Sequence, residues 1–364
     1  IYGCLVGSEM CIRDSFTMFG LANTLLIALI TRFLAGVFNG TLAVARAYIG
    51  DVSNPSQLTT RMGIIGAAFG LGFTIGPFIG GELSNPAERW EIFVGTIFDS
   101  YPYLLPCMAA GGLSLVSVIF AYFRLPESLP KSRRAKTDGL KWTSLIGKSL
   151  KQSYSMLNKG TISVIIWVTM LFIFGFTIMH AVFILYTGMA VDSGGLGYNE
   201  AQNGRIFAII GIAGILTQGL LIGPLTRRFG SAKLLPVSCI ITGLGLVLIP
   251  YTKAEWAFFQ LFLVVVLIAI GNGIFQPTSS SLHTSVDKLV GVYLGLVGGA
   301  QESVSSFARI IGPLTGGIVW TYTVANEWPL HYHTAFHLCG LIMLFAAVLA
   351  LKVNRIKDNH FEES

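Results

Sequence analysis

Ile75-Gly76-Pro77-Phe78-Ile79-Gly80-Gly81 stands late in one long apolar stretch of this chain, and Ile311-Gly312-Pro313-Leu314-Thr315-Gly316-Gly317 stands late in another. Glycines at helical spacing give a face almost without side chains, where a neighbouring helix can approach closely. The proline removes one backbone donor and bends the helix. The same break in two membrane-embedded halves is the pattern of an internally duplicated transporter. Gly72, Gly76, Pro77, Gly80 and Gly81, with Gly312, Pro313, Gly316 and Gly317, are therefore candidate gating residues. Plain tight packing would use the same residues.

Composition agrees with a membrane protein. Hydrophobic residues make up 53% of the chain and charged residues 12%, about half the charge of a soluble domain. Mean hydropathy is +0.69. The net charge of +6 could suggest nucleic acid. The basic residues, however, fall in short gaps between apolar runs, which is the topology signature of membrane proteins. Cys107, Cys239 and Cys339 lie far apart in apolar runs, so neither a disulfide framework nor a metal pair is visible, and they read as small packing residues.

A membrane-crossing helix needs about 20 mostly apolar residues. Candidate spans run roughly over 24–48, 60–83, 102–124, 162–187, 203–224, 232–251, 256–280, 290–320 and 335–353, with room for a short break in 290–320. The gap from Arg124 to Lys159 carries Lys131, Arg133, Arg134, Lys136, Lys141, Lys148 and Lys151 against Glu127 and Asp138. It is expected to be cytoplasmic. Alternation then puts Arg227, Arg228, Lys233, Lys288 and the tail Lys352, Arg355 and Lys357 on the same side. The opposite gaps hold Glu82, Glu88, Glu91, Asp99, Asp192, Glu200 and Glu327. Every gap agrees with one orientation, with the C-terminus cytoplasmic.

Residues 1–15 (IYGCLVGSEMCIRDS) fit neither a signal peptide nor a span. They resemble translated sequencing-adaptor read-through and are set aside as an artefact. Residues 16–21 read as the last turns of an earlier span. Three spans precede the basic loop and six follow it. If the halves are repeats, about nine complete spans of an expected twelve are present. The expected organisation is residues 16–124 as a partial first bundle, 125–160 as a basic cytoplasmic linker, 161–353 as a six-helix second bundle and 354–364 as a cytoplasmic tail.

At this point the residues resemble the major facilitator superfamily. Gly70-x-Gly72-x-x-x-Gly76-Pro77-x-x-Gly80-Gly81 resembles the fifth-helix motif of its proton-coupled antiporters. Arg32-Phe33-Leu34-Ala35-Gly36 with Asn39-Gly40 resembles the fourth-helix motif with its buried arginine. Gly223 through Gly230 resembles the loop motif between the eighth and ninth helices, with Arg227 where the family usually has aspartate. Gln301 through Gly317, with Ser305 and Arg309, resembles the eleventh helix of tetracycline and multidrug efflux members. Residues 81–106 and Pro126-Glu127-Ser128-Leu129 are similar to the zinc-induced-facilitator-like branch, with Pro130 where that branch usually has histidine. The resemblance implies an all-α membrane fold of two helical bundles, and a gating role for the glycine-proline helix. It also implies that Arg46, Asp51 and Arg61, with Gly223, Arg227, Arg228 and Gly230, latch the cytoplasmic side.

Two charged groups fall deep in the apolar runs. Arg32 stands about 12 Å into its span and Glu302 about 18 Å into its own. Charge at such depth is costly and is kept for function or for pairing. The resemblance implies a role for Arg32 in proton transfer or in holding a partner carboxylate; a structural pair with a backbone carbonyl or another helix is the other reading. Glu302, with Gln301 beside it and Arg309 two turns on, is the candidate proton-coupling acid; a carboxylate neutralised by a fixed internal cation and one simply facing an aqueous cavity are the other readings. Asn272, Gln276, Pro277 and residues 279–281 are expected to interrupt a span near midplane, where transporters bind cargo; with His180, Tyr186 and Gln301 they form the candidate cavity. Each could instead be a satisfied interhelical polar group. His331-x-His333-x-x-x-His337 reads as interfacial rather than as a metal site. No phosphate loop, nucleophile elbow or HExxH occurs, so neither an ATP-driven pump nor a hydrolase is indicated.

The expected function is secondary transport by alternating access, through proton-coupled antiport of small organic molecules. Export of a metal or metal chelate, and a non-transporting receptor or scaffold, are the alternatives. The expected partners are a small-molecule substrate and the lipid bilayer, with no nucleic acid, no cofactor beyond the proton gradient, and a monomeric state. A bacterial inner membrane and a eukaryotic plasma or vacuolar membrane share this topology.

Overall fold

The computed structural model describes residues 2–38, 71–72, 74–124, 160–253, 256–290, 294–325 and 331–362, with a few residues between 45 and 68; residues 2–9, 161, 257, 283–290, 294–300 and 354–362 are described by backbone alone. Regular structure among the described residues is helical throughout. Six helical stretches there are long and apolar enough to cross a membrane: Leu104–Arg124, Ile162–Gly188, Glu200–Phe229, Ser231–Tyr251, Phe258–Leu282 and His333–Val353. The chain divides into two compact units, residues 1–138 with 200–208, and residues 139–199 with 209–364.

The first unit contains α1 (Tyr2–Gly20), α2 (Leu25–Phe38), α3 (74–82), the short α4 (Pro86–Arg89) and α5 (Ile97–Ser100), and α6 (Leu104–Arg124). The first part of α8 (Glu200–Leu216) completes it. Helix α1 takes in the stretch 2–15 and packs against α6. Leu113, Val116, Phe120 and Phe123 of α6 recur at helical spacing and are 62% to 76% exposed. Such an apolar stripe is stable only against lipid or another helix.

The second unit holds α7 (Gly160–Gly188), the remainder of α8, a π-helical turn at Thr217–Leu221, and α9 (Ile222–Phe229). Then follow α10 (Ser231–Leu248), α11 (Ala257–Val290), α12 (Leu294–Ala325) and α13 (His333–Glu362). Helix α10 lies against both α11 and α13, and α7 against both α12 and α13. The core is built from Ile165, Phe172, Ile178, Tyr186, Leu235, Leu246, Phe275 and Phe336, each at most 1% exposed. Cys239 and Cys339 are buried there as free thiols.

Two expectations are corrected. Residues 272–281 do not interrupt their span, because α11 runs unbroken through Pro277. The Thr278 hydroxyl donates to the carbonyls of Ile274 at 2.7 Å and Phe275 at 2.9 Å, so its polar group is satisfied within the helix rather than interrupting it. Residues 223–229 are not a loop either. They form most of α9, and Gly230, at φ +75°, makes the turn into α10.

Candidate functional site

In the second unit α12 carries Glu302 and Arg309. Glu302 and Arg309 are seven residues apart, so about 20° apart in projection and about 10 Å apart along the axis. Helical side chains lean towards the N-terminus, which brings the longer arginine back over the glutamate. Arg309 Nη1 donates to Glu302 Oε1 at 3.0 Å, and both side chains are about half exposed. Glu302 is therefore a paired carboxylate rather than a bare one. Gln301 beside it is half-buried. The adjoining face of α12, less than about 90° around the helix from the pair, packs on α7, where a Cβ at Gly312 would run into the Thr177 side chain and one at Gly316 would lie 3.2 Å from the Ile178 carbonyl oxygen.

Helix α7 carries an aromatic row. Phe172, Phe176 and His180 recur every four residues, with ring centroids 6.1 Å and 4.8 Å apart. Phe172 stacks on Phe275 of α11 at 3.6 Å. Thr169 and Ser279 hydroxyls bond at 2.8 Å across the same two helices. Asn272 is half-buried and Gln276 exposed on α11, while His180 is half-buried on α7. Tyr186 is in a different setting. It is fully buried, its hydroxyl donates to the Thr252 carbonyl at 3.0 Å, and its ring meets Tyr332 and Phe336. The aromatic partners Phe172, Phe176 and Phe275 escaped the sequence reading. The only signal for Phe172 and Phe176 was the four-residue spacing ending at His180, and Phe275 on α11 had none.

In the first unit Arg32 is the eighth residue of α2, and its guanidinium lies over the ring of Phe19 at 3.7 Å and that of Phe16 at 4.8 Å. A cation on an aromatic face is held by the ring quadrupole without a carboxylate. A cavity of about 350 Å³ opens beside it, lined by Phe19, Asn23, Thr24, Ser100, Tyr101 and Tyr103 among others. None of the cavity residues inferred from sequence lines it.

The glycine-proline helix α3 makes its close contact at one end. A Cβ on Gly81 would stand 2.5 Å from the Glu200 carbonyl oxygen and 3.1 Å from the Gly204 Cα; one on Gly204 would stand 2.6 Å from the Pro77 carbonyl oxygen. The two glycines thus bring α3 and α8 backbone to backbone. At Gly72, Gly76 and Gly80 no described atom lies within 4 Å of such a Cβ. Around the contact, Arg205 of α8 grips Glu82 through Nε–Oε1 at 2.6 Å and Nη2–Oε2 at 3.3 Å. Arg89 donates to Glu82 Oε2 and to the Glu82 carbonyl, each at 2.9 Å. Glu200 accepts from Asn85 Nδ2 at 3.3 Å and from the Tyr103 hydroxyl at 3.1 Å. Sequence reasoning passed over Arg205, although a charge just inside the 203–224 span was the signal.

Arg46, Asp51, Arg61 and Gly70 lie outside the described residues. Arg227 and Arg228 occupy the last turn of α9, where cations suit the helix dipole, and Gly223 sits in its first turn. Pro313 lies within α12, and at Gly317 a Cβ would meet nothing within 4 Å. His333 and His337 pack around Tyr251, whose hydroxyl is 3.0 Å from His337 Nε2. Among the described residues no group of three metal-ligating side chains comes together.

A family model described as Major Facilitator Superfamily matches residues 15–308. The chain is 26% identical over 363 residues to Protein ZINC INDUCED FACILITATOR-LIKE 1 of Arabidopsis thaliana, covering 92% of this chain and 73% of that protein. It is 25% identical over 335 residues to Multidrug resistance protein 2 of Bacillus subtilis, covering 92% and 74%. Among solved structures, the human organic anion transporter MFSD10 (TETRAN) superposes with a TM-score of 0.66 at 19% identity, over 95% of this chain and 76% of that one.

Proposed function

The chain belongs to the major facilitator superfamily, a family of membrane transporters rather than enzymes, and on that premise we propose that it exports small organic molecules by proton-coupled antiport. It is an integral membrane protein with a multidrug resistance protein among its relatives. The proposal goes further, to the coupling ion, the direction and the cargo class. In this reading two bundles alternate around a midplane site, with the cytoplasmic side set by the basic loops, and the protein works as a monomer.

The observation that carries it is the Glu302–Arg309 pair inside an apolar helix. An ion pair there is costly and is kept where its making and breaking has a use. Protonation of Glu302 removes the negative partner and leaves Arg309 uncompensated. The two protonation states then favour different surroundings for α12, and a proton gradient can bias one conformer. Arg32, stacked on Phe19, supplies a second fixed cation, and His180, Asn272, Gln276 and Gln301 supply polar contacts to cargo. The glycine-proline stretches of α3 and α12 act as the gates. Arg46, Asp51 and Arg61 with the α9 arginines serve as the cytoplasmic latch. Export of a metal chelate, the second reading, rests on the likeness to the facilitator-like protein alone.

The test is Glu302→Gln in proteoliposomes with an imposed pH gradient. Gradient-driven efflux is expected to be lost while substrate exchange at equal pH persists. Efflux that still follows the gradient as in the parent protein would remove Glu302 from the coupling mechanism.

A further inference from the structure

We propose that Glu82, Arg89 and Arg205 form a latch in which one carboxylate is shared by two guanidiniums while α3 and α8 touch, and is retained by Arg89 alone when they part. The purpose assigned to the latch rests on the transport reading; its geometry does not.

Arg89 and Arg205 hold Glu82 from different sides. Arg89 belongs to the segment that follows α3, and its Nη1 binds both the carboxylate and the main-chain carbonyl of Glu82. It thereby also caps the C-terminal end of α3, where a cation suits the helix dipole. Arg205 comes from 123 positions along the chain and grips the carboxylate through two nitrogens. The Glu82 side chain is 27% exposed and that of Arg89 25%, whereas Arg205 is 61% exposed. Removing α8 without a second guanidinium would strand a partly buried carboxylate, which is costly. Arg89 prevents that, and water already reaches Arg205.

The second carboxylate of the contact follows the same logic. Glu200 is the first residue of α8, where the helix dipole favours a negative charge. Its partners, Asn85 and Tyr103, are neutral donors, so they carry no stranded charge when the contact opens. Every charge that binds across the contact thus has a companion on its own side or access to solvent. Such a contact is specific in register, through the Gly81–Gly204 approach, and low in opening cost.

The two arginines should therefore act with opposite sign. Arg205→Gln weakens the closed contact and should raise the open population about fivefold, the effect of one good partly exposed ion pair. Arg89→Gln removes the partner that waits for the open state and should lower the open population by a similar factor. The measurement is the distance distribution between spin labels at the exposed Ile92 and Gln202, in the full chain in lipid nanodiscs. Arg205→Lys and Arg89→Lys serve as variants that keep charge and folding, with intermediate shifts expected. Shifts of opposite sign support the latch. Shifts of the same sign, or no shift in either, overturn it. Flux in liposomes reads the transport premise separately: absent flux with opposite distance shifts sinks that premise and leaves the latch standing.

Discussion

Gly80 and Gly81 are adjacent in the same motif, yet the structure gives them very different consequences when a methyl group is added. At Gly81 the new Cβ would lie 2.5 Å from the Glu200 carbonyl oxygen, 3.1 Å from Gly204 Cα and 3.2 Å from Ala201 Cα, against an ordinary contact beginning at 3.4 Å. All three obstacles are backbone, so no side chain can swing aside, and α8 must retreat by nearly an ångström. Overpacking of this kind costs about 1–3 kcal/mol, or about 5- to 150-fold in the population of the closed contact. The retreat would also stretch the 2.6 Å Arg205–Glu82 bond. At Gly80 no described atom lies within 4 Å. There alanine should be neutral, or should stabilise by up to about 1 kcal/mol through helix propensity. The assay is the same pair of spin labels at Ile92 and Gln202, with a thermal melt in detergent to exclude global unfolding. Gly81→Ala should move the distribution to longer distances and Gly80→Ala should not. Equal shifts from both variants, or a silent Gly81→Ala, would refute the assignment of Gly81 as the residue in contact.

The other tests divide in the same manner. Gly312→Ala should destabilise the second unit by about 1–3 kcal/mol, because its Cβ would run into Thr177, while Gly317→Ala should leave the melting temperature unchanged. Tyr186→Phe removes a donor from the buried Thr252 carbonyl and should cost about 1–2 kcal/mol in a melt without altering cargo preference. A changed cargo profile at unchanged stability would instead put Tyr186 in the binding cavity. Glu302→Gln should separate gradient-driven efflux from equal-pH exchange, and the Arg89 and Arg205 variants should shift the α3–α8 contact in opposite directions.

Much of the architecture was legible because it depends on local chemistry. A run of about 20 apolar residues enters a membrane whatever its neighbours are, and the spans read at 162–187, 232–251 and 335–353 correspond closely to helices in the structure. The resemblance carried by the glycine-proline, Arg32 and Gly223–Gly230 motifs likewise agrees with the family match. Where polarity was taken to mean a break, the reading failed. Residues 272–281 look interrupted in sequence, but the Thr278 hydroxyl bonds back to its own helix and α11 continues.

The partners of the charged and glycine residues were a different matter. Glu302 was legible as a buried acid or a neutralised one, and only the side-chain geometry selected Arg309 as its partner at 3.0 Å. The helical spacing of Gly72, Gly76 and Gly80 pointed to their face for the close approach, whereas among the described residues the contact is made at Gly81, about 100° around the helix from Gly80. The sequence by itself determined that these segments are membrane helices, which ends carry basic loops, and which family they join, because partitioning and loop charge are properties of each segment alone. The tertiary structure alone decided that Gly81 meets Gly204 and that Glu82 is shared by Arg89 and Arg205. The Gly81–Gly204 and Glu82–Arg205 contacts depend on the register between helices more than a hundred residues apart. Lipid solvates every apolar face about equally, so hydrophobicity cannot choose the register; close packing and paired charges do.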